Sequence, residues 1–88
     1  MWIQSAYAYT ECAVTISQIY SGDDGNLWFV FAGGGSAVMF STDPDRQATL
    51  SLAMTALVTS RPVSVRYTAN SVACTSAGRT DLIGFWLQ

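Results

Sequence analysis

Only one segment of this chain has a helical pattern, and it lies between two groups of strand-like segments. Asp43 and Pro44 are typical of helix starts, and Pro62 sets the other limit because the residue before a proline avoids helical angles. We therefore predict one helix from Asp43 to about Ser60. Its apolar residues recur at the spacing of a core-facing stripe, and they are Leu50, Ala53, Met54 and Leu57.

The first of the other patterned segments and the segment at 63–68 alternate apolar and polar residues, which is typical of half-buried strands. The segment at 27–32 is apolar on both faces, so we expect both of its faces to be covered. The alternation of the first segment slips near Ile19, which indicates a bulge. A turn cluster at 21–26 and three glycines at 33–35 separate the early strands. We read Trp2–Tyr9 as a weak edge strand or an ordered arm. The predicted strands are Cys12–Tyr20, Leu27–Ala32, Ser36–Phe40, Val63–Thr68 and Leu82–Gln88.

The order of these elements predicts the fold class. Three strands, a helix and two strands fit into 88 residues, which is the size of one domain. We therefore expect residues 1–88 to form a single mainly-β domain with one helix. This order matches a five-stranded Greek-key barrel of the OB-fold type, whose helix lies between the third and fourth strands.

The predicted helix carries no charge between Gln47 and Ser60. Only 11% of the chain is charged, against roughly a quarter in an average domain. We expect part of this poorly charged surface to be an interface between copies of the chain, although a poorly charged monomer is the alternative. The residues expected at the interface are Ala48, Ser51, Thr55 and Thr59.

Composition argues against several classes of function. The chain has no histidine and no lysine, which removes the usual general base, the commonest metal ligand and the amine of a Schiff base. We therefore predict no catalytic residues, no metal site and no cofactor, and we predict that the protein is not an enzyme. Four scattered arginines and a net charge of −2 disfavour nucleic acid as a partner, and no apolar run is long enough for membrane insertion.

Cys12 and Cys74 are the only two cysteines. They favour a structural disulfide over two free buried thiols, because two thiols without histidine make neither an ordinary zinc site nor a CxxC redox motif. A disulfide implies an oxidising compartment, so we expect a secreted or periplasmic protein. The first residues, Met1 to Ser5, lack the features of a signal peptide, and we expect that one has been removed.

Three stretches resemble the B subunits of subtilase cytotoxin and typhoid toxin. They are the small-residue helix that runs into the strand at 47–67, Val14–Gln18 and Leu82–Gly84. The resemblance implies an OB-fold that assembles as a homopentamer with its helices lining the pore. It also implies binding to sialylated glycans of a host cell surface, and a catalytic A subunit as a partner.

The resemblance places the tyrosine that contacts the family's ligand at Tyr67, and the family's key serine at Cys12, beside Glu11. Because Glu11 repels a carboxylate and only Arg66 offsets it, a neutral glycan fits these residues more easily, with Tyr67 or Tyr9 stacking on a sugar. Tyr67 as a core residue is the structural alternative, and we assign Trp28 and Trp86 to packing. The function expected is glycan recognition, and the alternative is a stand-alone structural or interaction oligomer that has neither toxin partner nor sugar site.

Overall fold

The computed structural model describes residues 9–88, so the predicted arm Trp2–Tyr9 lies outside the described residues except for Tyr9. These residues form six strands and one helix. In chain order the elements are β1 (Thr10–Val14), β2 (Ile16–Gly22), β3 (Asn26–Phe31), β4 (Ser36–Met39), α1 (Arg46–Thr59), β5 (Val63–Tyr67) and β6 (Leu82–Leu87).

The strands form two antiparallel sheets instead of one barrel. Sheet A has the order β1-β5-β6 and sheet B has the order β2-β3-β4. The predicted five-stranded barrel is therefore wrong, since the strands at 9–88 form no closed barrel. The predicted first strand breaks at Thr15, and its two halves join different sheets. The helix consequently follows the fourth strand, and its predicted position between the third and fourth strands is also wrong.

Aromatic rings pack between the sheets at the centre of the core. The alternation of β3 turns Phe29 and Phe31 inward, and both are at least 98% buried. Phe85 of β6 meets Phe29 edge to face, with the ring centroids 5.0 Å apart. This geometry suits the quadrupoles of the two rings. The opposite face of β3, with Trp28 and Val30, is only partly buried, so the expectation that both faces are covered holds fully for one face alone.

Helix α1 begins three residues later than predicted. Asp43 makes a turn before the helix, where its Oδ1 accepts a hydrogen bond of 2.8 Å from the Asp45 backbone N–H. The helix ends at Thr59, because Ser60 adopts a left-handed conformation with φ of 56°. Its end before Pro62 agrees with the prediction.

The rotation of α1 about its axis differs from the predicted one. The buried residues are Thr49, Ala53 and Ala56, and Met54 is 51% exposed. The predicted place of Met54 in the core stripe is therefore wrong, and Ala56, which lies outside the predicted stripe, is buried. The small side chains let the helix lie close to β2 and β6, which it contacts. The residues predicted at an interface, Ala48, Ser51, Thr55 and Thr59, are all exposed.

A disulfide joins Cys12 of β1 to Cys74 in the long loop 68–81, which confirms the predicted bond. The bond is compatible with an extracellular or periplasmic location. The two cysteines are 62 residues apart in sequence. Loop closure of this size stabilises the fold by about 4 kcal/mol in the chain-entropy model.

Polar contacts hold the rest of loop 68–81. Arg79 and Asp81 form two hydrogen bonds of 3.0 and 2.8 Å, and the Ala69 backbone N–H also donates to Asp81. These bonds, above all those from Arg79, lower the pKa of the Asp81 carboxyl. The Arg79 backbone N–H donates a hydrogen bond of 3.1 Å to the Ser36 carbonyl of β4. The loop is therefore fixed against both sheets.

Within residues 9–88, no helix is long and apolar enough to cross a membrane.

Candidate functional site

Two rows of residues cross the outer face of sheet A, the face opposite the core. Neighbouring strands pair these residues directly: Glu11, Arg66 and Gly84 in one row, and Ala13, Ser64 and Trp86 in the next. The residues between the rows are Cys12, Val65 and Phe85, and they lie on the inner face, because successive strand residues alternate between faces. The outer face therefore combines charged, small and aromatic side chains.

The Glu11 carboxylate is the centre of a hydrogen-bond network on this face. Its Oε2 accepts bonds from Arg66 Nε at 2.8 Å and from Trp86 Nε1 at 2.9 Å, and Arg66 Nη2 lies 2.6 Å away. The bonds from Arg66, and then that from Trp86, lower the pKa of Glu11. Glu11 is therefore ionised at neutral pH.

Trp86 lies across the central strand of sheet A. Its backbone belongs to β6, yet its indole N–H reaches Glu11 on β1, so the ring must cross β5. Ser64, which pairs with Trp86 on β5, is only 8% exposed, as expected for a residue beneath the ring. Trp86 itself is 59% exposed. The indole therefore presents one broad face to solvent in a fixed orientation.

The Arg66 guanidinium lies near two aromatic rings. Its guanidinium carbon lies 4.2 Å from the centroid of the Tyr9 ring and 5.9 Å from that of Trp86. Both distances are within the range of cation–π attraction. The structure thus brings three of the predicted binding residues together with Trp86. We call Tyr9, Glu11, Arg66 and Trp86 the Trp86 cluster.

A shallow depression of about 200 Å³ adjoins the Trp86 cluster. It exists because Gly84, opposite Arg66 in the sheet, has no side chain to fill it. A Cβ atom added at Gly84 would meet no heavy atom within 4 Å. The lining residues are Arg66, Ile83, Gly84, Phe85 and Trp86. A ligand seated on the indole could therefore extend over Gly84.

Tyr67, the fourth predicted binding residue, lies apart from the cluster. It faces the core and is 1% exposed, so its ring is covered by protein. Burial raises the pKa of its hydroxyl, and the Arg79 guanidinium lies 5.4 Å from its ring centroid. The sequence carried a signal for this position, because Tyr67 is two residues from Val65 and four from Val63 and so shares their apolar face of the strand.

The assignment of Trp86 to packing is wrong, because its side chain is 59% exposed on the outer face of sheet A. A signal was present, because Phe85 and Trp86 are consecutive in a strand and only one of them can face the core. The described part of the chain contains no group of three or more Asp, Glu or Cys side chains placed to hold a metal ion.

No family model matches this chain, and no curated protein or solved structure matches it. The resemblance to toxin B subunits stays a prediction.

Proposed function

We propose that this protein is a secreted binding module that recognises a neutral glycan through the Trp86 cluster. The observation that carries the proposal is the indole of Trp86, which is more than half exposed and held in place by its bond to Glu11. An exposed aromatic ring beside polar groups is the usual composition of a recognition site.

The fixed ring suits stacking on a sugar. One face of a pyranose ring is largely C–H groups, which pack on an aromatic surface, while its edge carries hydroxyls. Because the bond to Glu11 already orients the Trp86 ring, binding would cost little side-chain entropy. The platform is therefore organised before a ligand arrives.

The polar groups of the cluster suit sugar hydroxyls. Within residues 9–88, the hydrogen bonds to Glu11 all go to Oε2, which leaves Oε1 as an acceptor. The charge of Arg66 is neutralised by Glu11, so the cluster has no excess positive charge for a carboxylate. An acidic sugar would meet the Glu11 anion, and we therefore propose a neutral glycan.

The state of Glu11 supports binding in preference to catalysis. Glycosidases need a carboxyl of raised pKa as general acid, together with a second carboxylate. The pKa of Glu11 is lowered, and its immediate partners are Arg66 and Trp86. A carboxylate that stays ionised accepts hydrogen bonds well but does not donate a proton.

Self-association through α1 is the second part of the proposal. The outward side of α1 includes Val58, which is 81% exposed, and Met54, which is 51% exposed. With no charge between Gln47 and Ser60, this side is suited to contact with another copy of the chain. The resemblance to toxin B subunits adds two features to the proposal, namely a ring of five subunits and a catalytic A subunit as a partner.

A glycan array probed with the folded protein tests the recognition proposal. Retention on neutral glycans is expected, and Gly84→Val should reduce it by filling the depression. Ala77→Leu, in the exposed loop, adds the same three carbon atoms away from the cluster and should bind normally. Absence of any retained glycan, or equal retention by Gly84→Val, would contradict the proposal and leave the stand-alone interaction oligomer as the better interpretation.

A further inference from the structure

We infer that the binding face extends from the Trp86 cluster to a second depression beside the disulfide, and that its ligand is an oligosaccharide instead of a single sugar. This inference rests on the proposed function. It concerns the length of the ligand, which the Trp86 cluster alone does not determine.

The second depression has a volume of about 330 Å³. It lies where the end of β1 meets the glycine turn after β3 and the loop that carries Cys74. The residues that line it include Ala13, Thr15, Gly33, Gly34, Pro62 and Thr75. Its volume is within the range of small-ligand sites.

The sheet register makes the two depressions parts of one surface. Ala13 lines the second depression, and it lies in the same row as Trp86, with Ser64 between them. The row spans two strand spacings, about 10 Å, which is comparable with two linked sugar rings. Ser64 lies beneath the Trp86 ring, and Ala13 is small and exposed, so no bulky side chain stands between the exposed indole and the second depression.

The lining of the second depression suits further neutral sugars. Thr15 and Thr75 supply hydroxyls, and the structure gives neither hydroxyl a hydrogen-bond partner within residues 9–88. Gly33 and Gly34 add no side chains that would fill the depression, although the Gly34 backbone N–H already donates to the Phe31 carbonyl. None of the lining residues is charged. The depression therefore offers hydrogen bonds without selecting for an ion.

Calorimetry with neutral oligosaccharides of increasing length tests the inference. The probes are gluco-, manno- and galacto-oligosaccharides of one to four sugars. In the series that binds, affinity should rise at least about tenfold from one sugar to three, which corresponds to 1.4 kcal/mol. Equal affinity for one sugar and for longer chains would overturn the extension while leaving the Trp86 cluster as the site.

Two variants locate the second contact. Ala13→Leu and Ala32→Leu each add bulk at an exposed residue that lines the second depression. Each should abolish the gain from longer chains and leave single-sugar affinity unchanged, whereas Trp86→Ala should reduce both. The matched control is Ala77→Leu, and the unfolding temperature of every variant shows that it is folded. Unchanged long-chain affinity in both variants would refute the inference, and a failure of every saccharide to bind would refute the proposed function as well.

Discussion

The indole N–H of Trp86 donates a hydrogen bond of 2.9 Å to the carboxylate of Glu11, across the width of sheet A. The two residues belong to β6 and β1, the outer strands of that sheet, and β5 lies between them. A single contact therefore joins the edges of the sheet on its solvent side. It also fixes the orientation of the exposed ring on which the proposed function depends.

Two replacements of Trp86 should distinguish the contribution of its ring face to glycan binding from that of its hydrogen bond. Trp86→Ala removes both and should weaken glycan binding by about tenfold or more, the scale of one good aromatic contact. Trp86→Phe keeps an aromatic face without the N–H donor and should give an intermediate affinity by calorimetry. Phe40→Ala, which truncates another exposed aromatic residue, is the control. An equal loss in Trp86→Phe and Trp86→Ala would show that the ring face contributes nothing.

Glu11 should make the unfolding free energy of the protein decrease at acidic pH. Its pKa is lowered in the folded protein, so its ion pair stabilises the fold above the unfolded-state pKa. That contribution is lost as the pH falls from the ordinary value of 4.5 through the lower folded value. Glu11→Gln should flatten this part of the profile of unfolding free energy against pH. An identical acid dependence in the variant and the parent protein would contradict the assignment, and Asp24→Asn is a control at an exposed turn.

Loss of the disulfide should destabilise the protein without changing its sheets. The double variant Cys12→Ser, Cys74→Ser should lose about 4 kcal/mol of unfolding free energy in urea, since loop closure no longer restricts the unfolded chain. A reductant should lower the stability of the parent protein toward the same value and leave the variant unchanged. If the reductant had no effect on the parent protein, the bond would not contribute to its stability.

A charge on the outer side of α1 should disrupt the proposed self-association. Thr55→Lys places like charges where copies of the chain would meet, and it should lower the mass measured by light scattering after size-exclusion chromatography. Thr68→Lys puts the same charge on an exposed residue away from the helix and should leave the mass unchanged. A monomeric parent protein at micromolar concentration would rule out this interface.

Close packing of α1 should make its buried alanines intolerant of larger side chains. Ala53 is fully buried, and Ala53→Leu should cost about 1 to 3 kcal/mol of unfolding free energy by overpacking. Met54→Leu, one residue along the helix and half exposed, should change stability far less. Comparable unfolding curves for the two variants would contradict the observed rotation of the helix.

The local elements of this fold were largely predictable, because their signals lie within short segments. Alternation located the strands, and Pro62 limited the helix. The rotation of α1 was not predictable, since apolar residues such as Met54 and Val58 occur on its solvent side as well as toward the core. The predicted stripe with Met54 was therefore not the only apolar face that the sequence allowed.

Sheet membership and the site required information that is distant in sequence. The alternation of Cys12, Val14 and Ile16 runs through the break at Thr15, so nothing local shows that the strand changes sheets there. Glu11 and Trp86 are 75 residues apart, and only the register of three strands brings them together. Tyr9, Glu11 and Arg66 could be suspected from their chemistry, whereas the role of Trp86 depended on knowing what lies opposite it.

The break at Thr15 also has a consequence for how the molecule unfolds. Because β1 and β2 are consecutive segments of one chain, neither sheet can melt without releasing a strand end that anchors the other. The disulfide at Cys12 adds loop 68–81 to the same unit. Heat should therefore unfold both sheets in a single cooperative transition, and a circular permutation that opens the chain at Thr15 should be far more damaging than one that opens it at Asp24.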